Sequence, residues 1–225
     1  MKTPDTWNRT IRNWNSKFDT DGNYFVLYAI LGINTAVFSA WWYANGVYKT
    51  YGDTSVMQFM TRNFLCGWKN IDDGRIWTML TCNFSHNEPW HFILNSFVLY
   101  SFGQAVIDIV GGRAFALIYL GAGLTSSLFT MGLRNRNEQF VSHGASGSVT
   151  ACTLVYALTY PWSTVYLLFV PVPAIIAIGG FVLYDLYRTS TKTGGRVDTA
   201  AHLGGAAFGL GYYWMRVRPA LRRFR

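Results

Sequence analysis

The chain has 225 residues, of which 51% are hydrophobic, 17% aromatic and only 13% charged. Soluble domains carry about 25% charged residues, so this composition excludes a surface that faces water throughout. The formal net charge is +8, but Arg216, Arg218, Arg222, Arg223 and Arg225 crowd the C-terminus. Such a basic tail reads as a topology and lipid-headgroup signal, and no nucleic-acid partner is expected.

Residues 1–23 hold no apolar core of a secretory signal. Asp5, Asp19 and Asp21 argue against an attached transit peptide. Trp7, Ile11, Trp14 and Phe18 recur at spacings of 4, 3 and 4. That is one helical face, predicted to lie along a membrane surface; packing on a partner subunit is the other reading. Six apolar spans are predicted at residues 24–44, 90–110, 114–133, 147–160, 165–186 and 199–217. The fifth is interrupted by Pro171 and Pro173. Five of the runs are of the length that crosses a bilayer, and the fourth is short. Residues 45–89 are too long and too amphipathic for a bare loop, and short helices partly in the membrane are expected there. The organisation predicted is an interfacial segment 1–23, a six-helix core 24–217 and a basic tail 218–225. The distribution of positive charge places both termini on the inner side.

Polar groups inside membrane spans are costly and therefore functional candidates. Ser146 sits in Gly144-Ala145-Ser146-Gly147, where small neighbours uncover the hydroxyl at a helix start. That helix end favours developing negative charge. Taken alone, the motif is weak, and a hinge or a packing site is the plainer reading. His202 lies next to a stripe of small residues, Ala201, Gly205 and Gly209, spaced by four, which lets two helices approach closely. If the facing helix begins at Ser146, the imidazole reaches the hydroxyl as the base that a serine nucleophile needs. A histidine satisfied by a backbone carbonyl is the plainer reading. His91 and Asn95 are four apart on one face and can donate to an oxyanion, and His86 adds another imidazole nearby. Metal binding is the rival for these histidines. Against it, no Asp, Glu or Cys ligand shares their face, and neither a metal nor a cofactor is expected. Cys66, Cys82 and Cys152 have no ligand spacing. Asp185 and Asp198 flank the last two spans, and neither spacing places a carboxylate beside His202. The expectation is a serine–histidine dyad.

These residues resemble the rhomboid family of intramembrane serine proteases. The resemblance rests on Thr81-x-x-Phe84-x-His86-x4-His91-x3-Asn95, on Gly144-Ala145-Ser146-Gly147, and on Ala201-His202-x2-Gly205-x3-Gly209, in that order along the chain. It implies an all-α bundle of six membrane helices with a partly embedded first loop. Ser146 would be the nucleophile and His202 the base. His91, Asn95 and the Ser146 backbone N–H would form the oxyanion hole, with His86, Gly144, Gly147, Gly205 and Gly209 in support. Substrates would be transmembrane segments of other proteins. A rhomboid-like protein that binds membrane helices without turnover, or a subunit of a larger membrane complex, is the alternative. A channel or transporter would show charged spans or repeated halves. Phe84-Ser85-His86, Ser101-Phe102-Gly103 and the run from Asp198 to Ala206 look most like the mitochondrial presenilin-associated rhomboid-like branch. That likeness implies the mitochondrial inner membrane, with a bacterial plasma membrane as the alternative. Thr150 stands where bacterial members often carry a tyrosine against the base.

Overall fold

A computed structural model describes residues 24–167, 169–191 and 198–223. The predicted surface helix with Trp7, Ile11, Trp14 and Phe18 lies outside these residues. Helix α1 (Phe25–Tyr51) buries Leu27, Ile30, Asn34, Val37, Trp41 and Ala44. Their spacing of three and four makes one stripe of the helix face the interior. The helix ends at Gly52, which takes the left-handed conformation at φ 68°. It runs about two turns beyond the predicted limit at residue 44, ending at Tyr51.

Short helices follow: α2 (Ser55–Phe64), α3 (Trp68–Asp72), α4 (Thr78–Thr81) and a 3-10 turn (Cys82–Phe84). They tuck Met60 and Leu65 against Val37 and Trp41 of α1. The Trp41 indole N–H donates to Ser85 Oγ at 2.7 Å. Next come α5 (Pro89–Val110), opened by a proline that needs no N–H there, and α6 (Gly112–Leu133). Helices α1, α5 and α6 are each long and apolar enough to cross a membrane.

Helix α7 (Ser146–Thr159) is shorter and buries ten of its fourteen residues. Strands β1 (Thr164–Leu167) and β2 (Val170–Pro173) then form an antiparallel hairpin, with Thr164 opposite Pro173 and Leu167 opposite Val170. This corrects the predicted fifth span. Pro171 and Pro173 lack the N–H a helix requires, and an edge strand accommodates them, so α8 (Ala174–Ser190) begins only after them. Helix α9 (Thr199–Tyr212) passes through a π turn (Tyr213–Val217) into α10 (Arg218–Arg223), so helix continues into the basic tail.

Helix α9 sits between α6 and α7. A Cβ on Gly204 would stand 2.8 Å from Ser126 Cα of α6, and one on Gly209 would stand 2.8 Å from Ala151 O of α7. A Cβ on Gly205 would collide with the Gly147 carbonyl oxygen. The small-residue stripe is therefore a backbone-to-backbone contact.

Candidate active site

The Ser146 loop is held from three directions. Ser142 exchanges both backbone hydrogen bonds with Cys66, at 2.8 and 2.9 Å. The Gly144 N–H donates to Cys82 O at 2.9 Å. The Ala145 N–H donates to His86 Nε2 at 3.2 Å, and His86 is fully buried. Gly144 has φ +119°, and a Cβ there would press on the His91 ring, 2.9 Å from Nε2. Glycine is thus required at that position twice, by conformation and by the imidazole packed on it. Ser146 follows as the first residue of α7, so its N–H has no acceptor within the helix.

Beneath the loop, Ser148 Oγ donates to Asn83 Oδ1 at 2.9 Å, and Asn34 Nδ2 donates to Tyr119 Oη at 3.2 Å. Ser148, Asn83, Tyr119 and Asn34 are all buried. These buried hydrogen bonds tie α1, α6 and the 3-10 turn to the start of α7.

The opposite wall carries His202. Asp198 caps α9, accepting from the Ala201 N–H at 3.1 Å, and also accepts from Thr130 Oγ1 of α6 at 3.0 Å. One turn on, His202 is buried, with Nδ1 2.8 Å from Asp185 Oδ2. That geometry overturns the expectation that no carboxylate stands beside His202. The partner comes from α8, seventeen positions away in sequence. Phe181, one turn before Asp185 on the same helix, packs on the imidazole with ring centroids 5.3 Å apart. Thr150 instead donates its hydroxyl to Ser146 O at 2.8 Å.

Serine and histidine come together through their neighbours. A Cβ on Gly147 would lie 3.0 Å from Ala201 O, so the residue after Ser146 meets the residue before His202. With Nδ1 held by Asp185, Nε2 is the ring nitrogen left for a hydroxyl. No hydrogen bond joins Ser146 to His202 among the described residues. Catalytic hydrogen bonds are often long without substrate and tighten when it binds.

On the loop side, the His86 and His91 rings meet edge to face at 5.2 Å, and His91 and His143 at 6.1 Å. Asn95 is buried and donates to His91 O at 2.8 Å, leaving its second amide hydrogen for another acceptor. His143 Nε2 lies 2.9 Å from Asn87 Oδ1. Burial pushes the His86 imidazole down to about 3, and neighbouring His91 and His143 act in the same direction. Burial likewise pushes His143 down to about 4, with His91 adding to it. Among the described residues, no three His, Cys, Asp or Glu side chains gather into a metal-holding group.

Sequence reasoning named Ser146, His202, His91, Asn95, His86 and the four glycines. It missed Asp185, Phe181, the Asp198–Thr130 tie and the polar layer under α7. One signal for Asp185 was present: no Asp, Glu, Lys or Arg stands between Glu138 and Asp185, and an acid ending so long an uncharged stretch invites the search for a partner.

A helical bundle in which a short helix opening at a serine packs on a glycine-striped helix that carries a histidine points to the class. The rhomboid domain matches residues 73–219, and the chain belongs to the rhomboid family. It is 33% identical over 74% of its length to RHOMBOID-like protein 12, mitochondrial, of Arabidopsis thaliana, and 28% identical over 84% to Rhomboid protein 1, mitochondrial, of Saccharomyces cerevisiae. Mouse presenilin-associated rhomboid-like protein, mitochondrial, is 31% identical over 60% of the chain and 36% of its own length. The chain spans about half the length of the first two, 54% and 52%.

Proposed function

We propose that the protein is an intramembrane serine endopeptidase that cleaves other proteins within or beside a transmembrane segment. The observation that supports this reading is the contact of Gly147 with Ala201 and Gly205, which joins the helix that Ser146 opens to the helix that carries His202. In the reaction, Ser146 Oγ attacks the scissile carbonyl carbon and its proton passes to His202 Nε2. The carbonyl oxygen becomes an oxyanion, facing the Ser146 N–H, His91 and Asn95. His202 then returns the proton to the leaving amine, and water hydrolyses the acyl-enzyme by the same route. Losing one oxyanion donor typically costs roughly two to three orders of magnitude in rate.

The six bundle helices α1, α5, α6, α7, α8 and α9 would be the membrane spans. Fourteen residues make α7 about 21 Å long, short of the roughly 30 Å hydrocarbon core. With its C-terminal end at one surface, its Ser146 end stops below the other, where a substrate helix must unwind to present a bond. The mitochondrial inner membrane is the proposed location, on the likeness to mitochondrial rhomboids. Its partners would be transmembrane protein substrates and the lipid bilayer.

A serine-directed fluorophosphonate tests this on the solubilised or reconstituted chain. Labelling is expected for the unmodified protein and lost in Ser146→Ala and in His202→Ala, with the fold intact in both. A folded chain that takes no label favours the alternative, a rhomboid fold that binds membrane helices without turnover.

A further inference from the structure

We infer that Asp185 is a positioning residue for the base, holding the His202 imidazole from behind while Phe181 holds its face. The inference rests on the serine-protease reading above. Asp185 is 2% exposed and 2.8 Å from His202 Nδ1. An acid at membrane depth is costly to bury, and it persists here with one side-chain partner among the described hydrogen bonds.

A plain staple between α8 and α9 would not require it. Thr189 Oγ1 already meets Thr199 Oγ1 at 2.7 Å, and Ile178 packs in one cluster with Ala206. Those neutral contacts join the two helices. What a carboxylate adds is tautomer and orientation. It accepts from Nδ1–H, so the lone pair stands on Nε2, toward the serine. When Nε2 takes the Ser146 proton, both ring nitrogens carry hydrogen, and Asp185 faces the cation formed. In this step no proton passes to the carboxylate. Phe181 and Asp185 are one turn apart on α8, so a single helix fixes both the plane and the rotation of the ring. Phe181 thus supplies the ring contact that Thr150 cannot.

The test compares Asp185→Asn and Asp185→Glu with the unmodified chain, by fluorophosphonate labelling rate, thermal midpoint and the 15N-histidine NMR spectrum. Asparagine keeps the shape but can present its amide hydrogens to Nδ1 and so stabilise the wrong tautomer. The expected result is a midpoint near that of the unmodified chain, labelling slowed roughly 10²- to 10⁴-fold, and loss of the downfield Nδ1–H resonance. Asp185→Glu should recover part of the rate. Labelling of Asp185→Asn within about threefold of the unmodified chain, beside inert Ser146→Ala, overturns the inference and leaves the protease reading standing. Should Asp185→Asn fail to fold, Asp185→Glu decides: a clear slowing with the resonance retained supports positioning, and an unchanged rate overturns it. If the unmodified chain takes no label, the protease reading falls. The spectrum then still decides, because an Nδ1–H resonance indifferent to Asp185→Asn overturns the hold on the ring.

Discussion

Helix α7 buries ten of its fourteen residues, whereas α8 buries three of seventeen. The two helices serve opposite sides of one site, and they do so by different physics. Ser146 is positioned by backbone: the Cys66–Ser142 bridge, the Gly144 and Ala145 N–H bonds, and glycine contacts that admit no Cβ. His202 is positioned partly by side chains arriving from a helix whose outer face is open, with Leu183, Tyr184, Leu186 and Tyr187 all exposed. Ser146 is therefore insulated from side-chain change around it. The His202 ring is held by two residues of α8.

The strongest way to break this contrast is Gly205→Leu. Its Cβ alone collides with the Gly147 backbone, which cannot rotate away, so α9 must leave α7. A displacement of about 1 Å at a catalytic group can cost on the order of 10²-fold in rate, and this one is larger. Labelling and turnover should both disappear, with a lowered thermal midpoint. Full activity would mean that the glycine stripe is not the contact that assembles the site.

A smaller effect is expected from pH, confined to the Ser146 side. His86 and His143 stay neutral in the folded protein down to about 3 and 4, while in the unfolded chain they take a proton near 6.5. Above pH 6.5 both states are neutral and nothing changes. Below it only the unfolded state binds protons, so stability is lost as the pH falls from 6.5 toward 4. At about 1.4 kcal/mol per pH unit for each group, the loss by pH 5 is roughly 1–2 kcal/mol per imidazole. Hydrogen exchange should show the 140–146 segment opening first. A His143→Gln variant should flatten part of the dependence, and equal opening of α8 would contradict the assignment to this side.

The smallest effect belongs to α8. A Cβ on Gly179 would meet nothing within 4 Å, so Gly179→Ala should leave the labelling rate unchanged. It should raise stability by about 0.5–1 kcal/mol through the lower chain entropy of alanine. Destabilisation in a melting experiment would show that α8 is packed more closely than its exposed face indicates.

The sequence by itself determined the features that depend on local periodicity and composition. Apolar runs marked the helices. Gly144-Ala145-Ser146-Gly147 marked the nucleophile candidate, and the four-residue spacing of Ala201, Gly205 and Gly209 marked the close helix contact. Together these motifs carried the family. Pro171 and Pro173 were visible as interruptions, yet only the fold turned them into a hairpin that delays α8 to Ala174. His86 was legible as an imidazole near the site. That it accepts from the Ala145 N–H depends on how the 3-10 turn docks under the Ser146 loop. Asp185 was read as a flanking charge, because spacing along one helix fixes which residues share a face but not how that face is turned toward its neighbour. The rotation of α8 against α9 comes from packing Ile178 and Ala206 in one cluster and Thr189 against Thr199. Those long-range contacts, which no window of sequence contains, bring a carboxylate to His202.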